Sequence, residues 1–320
     1  MRLALIGYGG VGRAFARLLE SKRAAYPFRI TGIHTARHGT AVDERGLPLE
    51  PAFGPPAASV EEFLDRARPE VLIEVTPLEP ATGEPAISHI RAAFARRIHV
   101  VTANKGPIAH AYWRLRQEAE AAGLQFRFES TVMDGAPVFS LVQTALPAVQ
   151  VRGFTGVLNS TTTVVIAAMR AGLPLAEAVQ RARGMGITEV DPRFDVDGWD
   201  AAAKAAVLAN VLMDARVTPL DVARKGIGRL TPERLAELAE KGKTVRLVSR
   251  ARKTPGGVRL RVRAEVLAEK DPLAMVQGTS NLLLLHTDLM GTLGVLQLSP
   301  GLEQTAYGLF SDVVAVAHEA

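Results

Sequence analysis

The sequence predicts an α/β protein: a doubly wound parallel sheet followed by a second domain of α+β type. Three observations point there. Through about residue 128, short apolar strands alternate with helical stretches. A glycine cluster sits between the first strand and the first helix. Beyond residue 129 the pattern becomes a long hairpin and two more apolar strands, with a closing helix. At 320 residues, 48% of them hydrophobic, the chain can fill two cores.

Leu3 to Ile6 is a buried strand that runs into Gly7-Tyr8-Gly9-Gly10-Val11-Gly12. A helix with an apolar face at Val11, Phe15, Leu18 and Leu19 follows. A GxGxxG between strand and helix lets the backbone turn tightly against a pyrophosphate at a helix N-terminus. A Rossmann-type dinucleotide site is therefore expected on Gly7, Gly9, Gly10, Val11 and Gly12. The second strand, Phe28 to His34, ends without the acid that would read a ribose 2′-hydroxyl. Arg37 follows instead and suits a 2′-phosphate, so NADP is favoured, with NAD possible. Ser59 to Glu62 is a capping box. Val71 to Val75 is the next strand, ending at Thr76, and a helix runs from Gly83 to Ala95. Ile98 to Val101 stops at Thr102-Ala103-Asn104-Lys105, and Pro107 opens a helix that ends before Gly123. Phe126 to Phe128 is the last strand of this series. Ligands of such sheets lie at strand carboxyl ends, where Thr76, Asn104 and Lys105 fall.

The polar segment Glu129 to Pro137 leads to an expected helix over Val138 to Leu146. Val151 to Leu158 is a strand, and Asn159-Ser160-Thr161 opens a helix whose hydroxyls and N–H groups suit a carboxylate. Helices follow from Pro174 and from Thr231-Pro232. Thr244 to Ala251 and Val258 to Val266 form a hairpin, and Leu282 to Leu285 and Leu293 to Leu298 add strands. Gly301 to Ala317 is the closing helix.

Composition narrows the function. The net charge is only +5, and Arg259 to Arg263 alternates as a strand's polar face does, so no nucleic-acid arm is present. A small anionic substrate fits this balance. With no cysteine there is no thiol nucleophile and no thiohemiacetal route for an aldehyde. The apolar start is too short for a signal segment, and no apolar run is long enough for a membrane. A cytoplasmic enzyme is expected.

The densest polar stretch, Gly184 to Leu208, carries Glu189, Asp191, Asp195, Asp197 and Asp200 ahead of an alanine-rich helix with Lys204. Asp200 and Lys204 share a helix face. Alone, they read as a surface ion pair. Set beside a dinucleotide turn and a strand-end Lys105, they read as a proton-handling pair.

Taken together, Gly7-x-Gly9-x-x-Gly12, Thr102-Ala103-Asn104-Lys105, Glu129-x-x-Val132, Gly156 to Thr162, Glu189-x-Asp191-Pro192, Asp200-Ala201-Ala202-x-Lys204, Thr305-Ala306 and Asp312 resemble homoserine dehydrogenase from end to end. The resemblance implies reversible NAD(P)-dependent reduction of L-aspartate 4-semialdehyde to L-homoserine, in a homodimer. It implies a dinucleotide domain of residues 1–128 and 300–320, and a substrate, catalytic and dimerisation domain of 129–299. It assigns catalysis to Lys204, Lys105 and Asp200, and substrate contacts to Glu189, with Asp195, Ser160 and Thr161 as further candidates. It assigns a monovalent cation, typically sodium, to Glu129, Val132, Asp134 and Ala136. Ser160 departs from the family's usual glycine, and Phe194 stands unusually among the acids. The residues also leave open a dehydrogenase of another small amino acid, such as aspartate, or a non-catalytic NADP sensor.

Overall fold

The computed structural model describes residues 1–188 and 191–319. Two compact units appear, Met1–Pro137 with Gly301–Ala320, and Val138–Pro300. In chain order the first contains β1 (Arg2–Ile6), α1 (Gly10–Lys22), β2 (Arg29–Thr35), β3 (Gly39–Val42), α2 (Val60–Ala67), β4 (Val71–Glu74), α3 (Ala86–Ala95), β5 (His99–Thr102), α4 (Lys105–Ala122) and β6 (Phe126–Arg127). The second contains β7 (Val151–Val157), α5 (Ser160–Arg170), α6 (Leu175–Gly184), α7 (Arg193–Val196), α8 (Trp199–Leu212), β8 (Ala223–Lys225), α9 (Pro232–Glu240), β9 (Lys243–Thr254), β10 (Gly257–Ala268), β11 (Asn281–Thr287) and β12 (Thr292–Gln297). The closing helix α10 (Leu302–Glu319) returns to the first unit.

The first sheet runs β3-β2-β1-β4-β5-β6. Its pairs are parallel except at the edge, where β3 lies antiparallel to β2. Successive residues of β1 point to opposite faces, and both faces are covered. Leu3, Leu5, Ile33 and Ile73 pack with Phe15 of α1 and Leu309 and Val313 of α10. Ala4, Ile6 and Leu72 pack with Phe63 of α2, Ile90 of α3 and Leu115 of α4. Local chemistry sets the helix ends. Ser59 caps α2 by accepting the Glu62 N–H, but Glu62 bonds the Ala58 N–H, one residue before the N-cap, so only half of the expected capping box forms. Gly123 ends α4 in the left-handed conformation.

The second sheet runs β12-β11-β7-β9-β10-β8. It is antiparallel except for the short β8–β10 pair. Residues of α5, α8 and α9 pack on it. The helix expected over Val138 to Leu146 forms as a short helical stretch from Phe139 to Ala145. It widens into a π-turn over Leu141–Ala145 and has no side-chain cap. Pro147 explains the early stop: the residue before a proline avoids helical backbone, and Leu146 sits at φ −122 and ψ 61. Helix α4 starts at Lys105, two residues before Pro107, because Asn104 caps it.

One buried cation braces the second sheet. Arg246 donates to the carbonyls of Val276 (2.9 Å) and Ala274 (3.0 Å), holding segment 272–276 over Val157, Val248 and Leu282. Its guanidinium also reaches Thr244 and the Val245 carbonyl. Burial lowers its pKa, with Arg170 adding to the effect. Arg246→Ala removes the donors and strands the carbonyls. A stability loss of about 3 kcal/mol is expected from the urea midpoint. A loss under about 0.5 kcal/mol would show that the segment is held by packing alone.

Candidate active site

In the first unit, Gly7 adopts φ +99 and donates its N–H to His34 O at 2.9 Å. A Cβ on Gly7 would lie 2.6 Å from Val75 O, so the turn requires glycine. A Cβ on Gly9 would meet no atom within 4 Å, which leaves the backbone open where a pyrophosphate would approach. Gly9 is the N-cap of α1 and offers no side-chain cap, so the helix's first N–H groups face an uncapped end. A Cβ on Gly12 would sit 3.0 Å from Gly7 O, and one on Gly10 would strike Leu302 of α10. Val11 lies in the first turn of α1. Arg37 is exposed in the turn joining β2 to β3. These residues fit a dinucleotide.

A buried carboxylate organises the ends of β4 and β5. Glu74 is fully buried. Its Oε1 accepts the Thr76 N–H at 3.1 Å and the Thr76 hydroxyl. Its Oε2 lies 3.0 Å from the Thr102 hydroxyl. Thr102 Oγ1 accepts the Asn104 N–H at 2.9 Å, and Asn104 Nδ2 donates to Thr76 O at 3.2 Å. The ring Glu74–Thr76–Asn104–Thr102 is thereby closed. Asn104 Oδ1 caps α4 by accepting the Gly106 N–H at 2.9 Å, which fixes Lys105 as the first helical residue. Thr76 and Asn104 thus serve first as braces. Glu74 itself was not legible as a site residue, since it reads as the end of an apolar strand.

The segment Glu129 to Ala136 packs on α10. Ser130 donates to Thr305 O at 2.8 Å, and the Glu129 N–H donates to Asp312 Oδ2 at 2.8 Å. Burial pushes the Asp312 carboxyl up to about 7; the Glu129 N–H pulls it down and the Glu129 charge raises it. Val132 and Ala136 are buried, and Asp134 and Gly135 turn the chain through left-handed backbone. Among the described residues no three His, Cys, Asp or Glu side chains converge on a metal position. A cation here would rest on main-chain oxygens.

The second unit gathers the charged residues. Lys204 Nζ lies 3.3 Å from Asp200 Oδ2 and donates to Leu158 O at 2.6 Å. The two side chains are 13% and 5% exposed, which rules out a solvated surface pair. Asn159 Nδ2 donates to Asp195 Oδ1 at 2.7 Å and to Asp200 Oδ2 at 2.9 Å, while its Oδ1 caps α5 through the Thr162 N–H. Asp195 and Asp200 are both buried. The structure therefore brings Asp195, Asp200 and Lys204 together and adds Asn159, which sequence reasoning left as a helix opener. Ser160 donates to Thr279 O at 2.9 Å and Thr161 to Ile187 O at 2.8 Å. Their hydroxyl protons are committed, so the donors for a carboxylate are the main-chain N–H groups of the turn. Asp191 is ion-paired to Arg193 at 2.6 Å, and Asp197 is exposed, as loop-shaping acids would be. Glu189 lies outside the described residues.

A dinucleotide turn in one unit and a buried lysine–carboxylate group in the other define a nucleotide-dependent oxidoreductase. Residues 7–129 match the model of the homoserine dehydrogenase NAD-binding domain, and residues 137–314 match that of homoserine dehydrogenase. The chain belongs to the homoserine dehydrogenase family. It is 33% identical to an NAD(+)-dependent homoserine dehydrogenase of Pseudomonas canavaninivorans, over all of this chain and 97% of the relative. A crystal structure of homoserine dehydrogenase from Thermoplasma acidophilum superposes at TM-score 0.87, with 25% identity and 99% of both chains covered. A hyperthermophilic archaeal homoserine dehydrogenase in complex with NADPH superposes at TM-score 0.84, with 27% identity over all of this chain and 98% of that one. No helix among the described residues is long and apolar enough to cross a membrane.

Asn159 is the testable link within the charged group. Asn159→Ala uncaps α5 and leaves two buried carboxylates without their shared donor. We expect a loss of roughly 2–4 kcal/mol in the denaturant midpoint. Stability equal to the parent protein would mean that water or Lys204 alone satisfies both acids.

Proposed function

We propose that the protein reversibly reduces L-aspartate 4-semialdehyde to L-homoserine. The observation carrying this reading is the buried Asp200–Lys204 pair, its Asp200 also held by Asn159, in a chain of this family. The bound nicotinamide cofactor supplies the hydride. Lys204 holds the substrate oxygen and exchanges its proton, with Asp200 and the Leu158 carbonyl fixing the ammonium group. Lys105 contributes the second cation. Glu189, with Asp195, takes the substrate ammonium. The N–H groups at Ser160 and Thr161 take its carboxylate. Gly7, Gly9, Gly10, Val11 and Gly12 would hold the pyrophosphate, with Thr76 and Asn104 as further cofactor contacts. The main-chain oxygens of Glu129, Val132, Asp134 and Ala136 hold a monovalent cation, sodium in our reading. A homodimer is supported by exposed Leu289, Met290, Leu296 and Leu298 around the edge strand β12, an apolar edge that invites cover.

The deciding assay is NADPH oxidation with aspartate 4-semialdehyde. Lys204→Ala should lower kcat by about 10²- to 10⁴-fold with NADPH binding retained. An unmutated protein that binds NADPH yet does not turn over would sink the proposal.

Arg37 carries the cofactor preference. Placed on the turn after β2 with no ribose-reading acid beside it, it suits a 2′-phosphate. Arg37→Asp should raise the NADPH KM at least about tenfold and leave the NADH KM nearly unchanged. Equal changes for both cofactors would remove Arg37 from that role.

A further inference from the structure

Asp200 and Lys204 ride on the same helix, α8, and each is anchored to the junction of β7 and α5. Asp200 Oδ2 accepts from Asn159 at 2.9 Å, and Lys204 Nζ donates to Leu158 O at 2.6 Å. A displacement of α8 carries both side chains away from these anchors together, and hydrogen bonds tolerate only a few tenths of an ångström. The start of α8 does not hold this position by itself. Gly198, its N-cap, offers no side-chain oxygen, and α7 before it is a single turn.

Strand β8 supplies the support from outside. Arg224 is in register with Val262 of β10. Its guanidinium carbon lies over the Trp199 ring, 3.6 Å from the centroid, and the same group donates to the main-chain oxygen of Asp197. One planar cation therefore grips the residues on both sides of Gly198. A Cβ on Gly198 would lie 3.5 Å from Arg224 Cγ, so the arginine stem fills the outer side of the corner as well. Further along, the Ile227 N–H donates to Val196 O at 2.9 Å and ties down the end of α7. Burial lowers the Arg224 pKa and Asp197 opposes that shift; a guanidinium stays charged at any working pH. Its flat face stacks on the ring while the N–H groups in its plane remain free to donate, a combination an ammonium cannot reproduce.

We propose that Arg224 is a positioning residue for the Asp200–Lys204 pair. It acts through Trp199 and the Asp197 carbonyl, which fix the first turn of α8 and so keep Asp200 on Asn159 and Lys204 on Leu158 O. The effect on turnover rests on the reaction proposed above; the placement of α8 does not.

Arg224→Met keeps the aliphatic stem and removes the guanidinium. Circular dichroism and an unchanged NADPH Kd, read at the dinucleotide turn of the other unit, establish that it is folded. Its crystal structure is expected to show the Asp200–Asn159 or the Lys204–Leu158 contact opened beyond about 3.5 Å. With aspartate 4-semialdehyde and NADPH, well below the variant's Tm, kcat is expected to fall at least about tenfold while the NADPH KM stays unchanged. Trp199→Leu removes the ring and leaves the arginine; it should lower kcat in the same way, and it carries both readouts if Arg224→Met does not fold. Arg224→Lys keeps a cation for the ring and one donor for the Asp197 carbonyl, so it should restore part of the lost kcat. The proposal fails if both contacts are intact in the Arg224→Met crystal structure. It fails if Tm falls and kcat does not, which is the result a purely structural residue gives, or if Arg224→Lys restores nothing. A parent protein inactive on the aldehyde would overturn the reaction, and the crystal structure of Arg224→Met would then decide the role of Arg224 alone.

Discussion

The buried charge of the second unit constrains everything around it. Asp195 and Asp200 are both withdrawn from water, and two unpaired carboxylates so placed would be costly. Lys204 supplies one opposite charge, and the Asn159 amide supplies a donor to each acid. The local chain is shaped to deliver these groups. Strand β7 stops at Val157, so the Leu158 carbonyl accepts from the Lys204 ammonium instead of a neighbouring strand. The short helix α7 carries Asp195 inward. Gly198, at φ +80, turns the chain so that Asp200 enters the first turn of α8, where a carboxylate is favoured. Close packing fixes the approach from outside: a Cβ on Gly226 would lie 2.0 Å from Val196 O. A site that exchanges protons benefits from this arrangement, because the lysine's position is set before any ligand arrives.

The first unit solves a related problem with a single acid. Among the described residues no lysine pairs with Glu74; hydroxyl and N–H donors from β5 and the β4 turn surround it. His89 is the nearest basic group, 3.9 Å away. A carboxylate held by several donors stiffens the two strand ends it touches. Those ends are where a parallel sheet presents its ligands. Burial here therefore acts on geometry, while in the second unit it acts on both geometry and proton exchange.

Much of the fold could be read from the sequence because its signals are local and repeated. Leu3 to Ile6 before a glycine turn, and Val71 to Val75 before Thr76, mark buried strands by apolar runs. The elements that escaped are those whose stability comes from partners. Strand β3 starts at Gly39 and survives by pairing with β2. Strand β8 has three residues and exists through its pairing with β10. The helix expected at Val138 formed only as a short stretch that widens into a π-turn, without a cap and ended by Pro147. The site divides along the same line. Spacing put Asp200 and Lys204 on one helix face. It could not tell a solvated pair from a buried one, since alanines favour helix on a surface and in a core alike. Contacts between distant residues, such as Asn159 with Asp195 and Asp200, leave no mark in a linear pattern.

Asn104 and Asn159 show why such residues are overlooked. Each stands two residues past a strand and caps the helix that follows through its Oδ1. Serine, threonine or aspartate would cap nearly as well, so an asparagine there reads as an ordinary helix start. Its amide differs in also carrying two N–H donors. Asn104 spends these on carbonyls of the β4 turn, and Asn159 on two carboxylates. Aspartate would keep the cap and lose the brace; in the second unit it would add a third negative charge beside two buried ones. Serine would keep the cap with too short a reach. The strand–helix junction thus becomes a rigid corner in each unit, and the next residue is fixed by it: Lys105 in one, Ser160 in the other. A capping position with a donor to spare lets a strand end hold a functional side chain without a separate support.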